Sequence, residues 1–98
     1  MAFLLEPYPE DVLARVRHDY PPHEVDSVMT ILSAIRDLGW HIPWLQLACL
    51  RLADGEKRLV QQWIDDANSD PRNLKLFVER LHGPDWERHY ILYSARQN

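Results

Sequence analysis

Apolar residues recur along this chain at helical intervals, and most of the runs they form are opened by a proline. Pro is welcome in the first turn of a helix, where no N–H is needed, and hostile to its interior, so Pro9, Pro22, Pro43 and Pro71 read as helix starts. Over 9–19, Val12, Leu13 and Val16 make a narrow stripe, and Glu10 and Asp11 place negative charge at the positive end of the helix dipole. Tyr20-Pro21-Pro22 interrupts this run, because a residue before Pro is pushed out of the helical region. Over 22–38, Val25, Val28, Met29, Ile31, Leu32, Ile35 and Leu38 fill one half of a helix, and Asp26, Ser27, Thr30, Ser33 and Asp37 fill the other. Gly39 follows where a left-handed C-terminal cap is expected.

The next run is different in kind. From Pro43 to Gly55 only Gln46 and Arg51 interrupt Trp44, Leu45, Leu47, Ala48, Cys49, Leu50, Leu52 and Ala53, so a helix over 43–54 has no broad wet face. It falls short of the roughly 20 apolar residues that span a bilayer, so other protein must surround it. A fourth helix is predicted over 56–68 from Leu59, Val60, Trp63, Ile64 and Ala67. A fifth follows over 71–82: Asp70 sits at its N-cap, Pro71 at its first position, and Leu74, Phe77, Val78 and Leu81 at i, i+3, i+4 and i+7. Gly83-Pro84 ends it. Asp85 then opens a last helix carrying Trp86, Tyr90, Ile91 and Tyr93; the segment 89–93 also suits a strand, but the chain offers no second strand to pair with it. The expected fold is all-α, a compact bundle of five to six short helices around a buried central helix at about 43–54.

Composition narrows this further. The chain's 98 residues are enough for one domain, 1–98, with a single core, and three glycines are too few for a turn-rich β architecture. The net charge of −4, with basic residues scattered, disfavours duplex nucleic acid, whose non-specific affinity rests on clustered Lys and Arg. Cys49 is the single cysteine and lies in the most apolar segment, which fits a reducing compartment and a packing role. The N-terminal apolar run stops at Glu6 without a basic region, so a cytoplasmic protein without a membrane segment is expected.

No catalytic, cofactor or metal site emerges from spacing. His18, His23, His41, His82 and His89 include no i, i+4 pair on one helix, although His18 and His23, or His82 and His89, could meet across their turns. Asp66 to Asp70 begins like a calcium loop, but Pro71 replaces the turn glycine and Phe77 the twelfth-position Glu. A helix-turn-helix outline from Ile31 to Cys49 would offer only Gln46 and Arg51 to bases, with Lys57 and Arg58 nearby.

What remains is a surplus of aromatics. Trp40, Trp86, Tyr90 and Tyr93 are not needed by the predicted stripes, and Trp and Tyr concentrate binding energy at interfaces. On a helix from 86, Trp86, Tyr90 and Tyr93 share one side, covering either the chain's own core or a second subunit, while Glu87 and Arg88 turn to water. The expected function is a non-enzymatic protein–protein interaction or regulatory module acting through helix–helix contacts, by self-association or with a protein partner. The alternatives are a ligand-binding protein or enzyme with a pocket at Trp40, His41 and Trp44, or one using Asp65 and Asp66, and then a nucleic-acid-binding helical domain.

Overall fold

A computed structural model describes residues 7–92. Six helices follow in order: α1 (Pro9–Asp19), α2 (Pro22–Leu32), α3 (Ile42–Ala53), α4 (Lys57–Ser69), α5 (Pro71–His82) and α6 (Trp86–Tyr90), with no strand among the described residues. This is the all-α bundle that the hydrophobic pattern predicts. None of these helices is long and apolar enough to cross a membrane.

The helix without a wet face is enclosed as its sequence demands. α1, α4 and α5 all pack against α3, and Leu45, Leu47, Ala48, Cys49, Leu50 and Ala53 are 0 or 1% exposed. Each neighbour contributes its own stripe: Val12 and Val16 from α1, Val60, Ile64 and Ala67 from α4, Leu74 and Val78 from α5. The helix starts are equally local in origin. Tyr8 donates its backbone N–H to the buried Asp11 carboxylate at 2.7 Å, and Asp70 accepts the Arg72 N–H at 3.1 Å, each giving an orphan first-turn amide a partner. At α6, by contrast, the expected cap Asp85 makes no side-chain capping bond.

α2 stops at Leu32, six residues before the point that its periodicity predicts, and the reason is tertiary. The Gln46 amide, one of two polar interruptions on α3, donates to the Leu32 carbonyl at 3.0 Å. Asn68 of α4 then takes the following backbone from both sides, accepting the Arg36 N–H at 2.7 Å and donating to the Ala34 carbonyl at 3.0 Å. The Ala34 and Ile35 amides fall back onto carbonyls three residues behind, the tightening that ends a helix. Ile35 still reaches the core at 9% exposure, whereas Leu38, expected on the same face, is 45% exposed. Gly39 has φ +87°, as expected, but within the 33–41 connection instead of as a cap of α2.

Two expected outcomes follow. Leu50→Ala should lower stability by about 2–5 kcal/mol, read as a loss of melting temperature, because truncating a side chain 1% exposed leaves a void in the packing around α3. Gly39→Ala should also destabilise, by roughly 1 kcal/mol from the left-handed backbone alone, since a Cβ there meets no atom within 4 Å. A helical Gly→Ala would change stability in the opposite direction, so chemical denaturation distinguishes the two by sign.

Candidate functional site

Three of the four aromatics singled out by the sequence come together, and Trp44 joins them. Ring centroids run Trp40 to Trp44 at 6.4 Å, Trp44 to Trp86 at 5.4 Å and Trp86 to Tyr90 at 6.0 Å, tilted or edge-on as ring quadrupoles favour. The row faces inward. Trp86 is 2% and Tyr90 5% exposed, Trp40 is half-buried, and all three belong to or pack on the core; Tyr93 lies outside the described residues. α6 spans only five residues, after which Ile91 is extended and buried, so the aromatic side predicted for a longer helix is a short hook over α5.

The groups proposed for a pocket near Trp40 are held by neighbouring segments. His41 Nε2 donates to the Pro7 carbonyl at 2.7 Å, and Trp44 Nε1 donates to Glu87 Oε2 at 2.9 Å, which draws Glu87 toward α3 instead of leaving it to solvent. Asp65 accepts from Gln61 on the exposed side of α4. A cavity lies at the Tyr90 end of the aromatic row.

That cleft has a volume of about 410 Å³ and opens between α1, α3, α5 and α6. Its floor is Leu50, Trp86 and Tyr90; its polar wall is Arg15, Asp19, Arg51, Asp54, His82 and His89. Arg15 is fixed three ways: Nε to Asp19 Oδ2 at 3.0 Å, one terminal nitrogen to the Tyr90 carbonyl at 3.0 Å, and its guanidinium 4.0 Å above the Tyr90 ring. Asp19 also receives His18 Nδ1 at 2.8 Å and the Tyr90 hydroxyl at 3.3 Å. Its carboxylate is therefore engaged on both oxygens. Arg51 approaches the same ring at 5.7 Å, and among the described residues it makes no hydrogen bond or ion pair.

The electrostatics follow from this crowding. Burial, and then the Asp19 charge, push the Tyr90 phenol well above its usual range, and the same two causes raise Tyr20 to about 12. His82, at the end of α5, has its pKa lowered by burial and next by Arg51, against a smaller upward pull from Asp54. His82 and His89, which the sequence allowed to meet across Gly83-Pro84, both line the cleft. Cys49 lies elsewhere, fully buried, and desolvation raises its thiol above its usual range.

Sequence periodicity missed a second surface. The predicted core stripe of α5 splits: Leu74 and Val78 are buried, whereas Phe77 is 40% and Leu81 60% exposed, and Leu76 beside them is 61% exposed. Trp63 of α4 is half-buried and lies 5.6 Å from Phe77, ring to ring. The available signal was an excess: five large apolar residues on a twelve-residue helix exceed what one buried stripe absorbs. Comparison with known proteins adds no relative to this picture, as no family model, curated protein or solved structure matches the chain.

Proposed function

We propose that this protein is a non-enzymatic interaction module that pairs with a second copy of itself through the outer flank of α5. The observation carrying this reading is the exposure of Leu76, Phe77 and Leu81 on one helix, backed by Trp63. Large apolar side chains that the monomer leaves in water are a common mark of an association surface. Their position favours a second copy as the occupant. Leu76 and Phe77 stand at the middle of Pro71–His82, so a two-fold axis across the helix centre brings these residues against their own counterparts. The surface differs from the aromatic set of the sequence reading, because Trp86 and Tyr90 cover the chain's own core.

Light scattering across a micromolar-to-millimolar concentration series tests the proposal. The mass should rise from one chain toward two, and Leu76→Glu or Leu81→Glu should hold it at one chain. Because both side chains are already solvent-exposed in the monomer, either substitution should alter monomer stability by only about 0.5 kcal/mol. A single-chain mass at every concentration, or a dimer that both glutamates leave intact, would overturn it.

A further inference from the structure

The cleft at Tyr90 holds a guanidinium, that of Arg51, which takes part in no hydrogen bond or ion pair among the described residues. We infer that it is a binding site for a small organic anion, a carboxylate or a phosphate monoester, with Arg51 holding the charged end and Leu50, Trp86 and Tyr90 flanking the body. This site is separate from the α5 flank and does not depend on how that flank is occupied.

Three observations carry the inference. The first is the state of Arg51: half-buried on α3, it has given up part of its hydration, yet among the described residues it has only the Tyr90 ring at 5.7 Å. A guanidinium is a fork of five donors matched to carboxylate and phosphate oxygens, and this one faces a cavity with that fork unfilled. The second is the charge around it. Arg15 and Asp19 neutralise each other, and Asp19 is further engaged by His18 and Tyr90, so this carboxylate is not free to answer Arg51. Asp54, the other acid lining the cleft, is exposed and forms no ion pair with Arg51 among the described residues. The third is size: about 410 Å³ exceeds a bare ion and falls within the range of small-ligand sites, and its floor is aromatic and aliphatic.

His82 adds a pH dependence with a definite sign. It is faced by Arg51 and Asp54 from α3 and its end, by Arg15 and Asp19 from α1, and by His89 from α6. Burial and Arg51 disfavour its protonated form. An anion seated beside Arg51 reverses the second of these effects, so binding draws a proton onto His82, and by linkage affinity rises as pH falls through the weakly acidic range, below the ordinary histidine value.

The test is an NMR titration of the intact protein with benzoate, phenyl phosphate and neutral benzyl alcohol, read on the resonances of Arg51, His82 and Tyr90. Both anions are expected to give saturable shifts there, and benzyl alcohol none; the tighter of the two anions assigns the ligand's charged group. Arg51→Gln should weaken binding about tenfold or more, as loss of a charge-assisted pair does. Arg72→Gln, which removes an exposed arginine outside the cleft, should leave it unchanged. Benzoate stays ionised in weakly acidic solution, so its tightening as pH falls isolates the protein's contribution, and His82→Asn should flatten it. Amide spectra of each variant matching the parent's away from the cleft exclude unfolding as the cause. No saturable shift with either anion, equal binding of benzyl alcohol, or an unchanged affinity in a folded Arg51→Gln protein would overturn the assignment.

Discussion

A helix that is apolar on every side has one stable fate in water, and the arrangement of this protein follows from it. The side chains of α3 from Leu45 to Ala53 include six that are essentially inaccessible, and one neighbouring helix could cover only part of that circumference. α1, α4 and α5 together complete the enclosure. Burying a leucine contributes about 1.5–3 kcal/mol through the water released, so Leu45, Leu47 and Leu50 together contribute an amount comparable with the whole net stability of a small domain.

The two polar residues of α3 then acquire uses set by position. Gln46 points to α2 and takes the carbonyl of Leu32, and with Asn68 it fixes where α2 ends and the 33–41 connection begins. A buried or half-buried backbone group must have a partner, and here a side-chain amide competes successfully with the next helical turn. Arg51 points the other way, into the cleft, where among the described residues it has the Tyr90 ring at 5.7 Å but no hydrogen bond or ion pair. The same helix thus secures the core on most of its surface and leaves one cation at a cavity.

Aromatic packing connects these regions. The row from Trp40 to Tyr90 links the 33–41 connection, α3 and α6, and Tyr90 ends it between two guanidinium groups. The cation–π contact of Arg15, its bond to the Tyr90 carbonyl and the Tyr90 hydroxyl on Asp19 together tie α6 to α1, 75 residues away in sequence for the carbonyl contact. α6 is only five residues long, too short to be stable as an isolated helix, and these anchors explain its order.

How much of this was legible in advance depends on the range of the interaction responsible. Helix starts are local: Pro9, Pro22, Pro71 and the Asp70 cap act within one turn, and periodicity over a dozen residues is enough to separate the enclosed α3 from its amphipathic neighbours. Where a helix ends against a competing amide is not local, so Ile35 and Leu38 continued the α2 pattern in sequence while Gln46 and Asn68 stopped it in space. The candidate site was less legible still, because Arg15, Arg51, His82 and His89 come from four helices with no shared spacing, and only the packing around α3 brings them to one cleft. Likewise Phe77 and Leu81 fit a core stripe by period, and only the angle at which α5 meets its neighbours decided that Leu74 and Val78 would be buried and those two left in water. The sequence by itself determined that α3 must be enclosed, since the cost of hydrating it is a property of its own side chains. Which polar groups and which apolar flank remained at the surface depended on how the enclosing helices were oriented, and that was decided only by the tertiary structure.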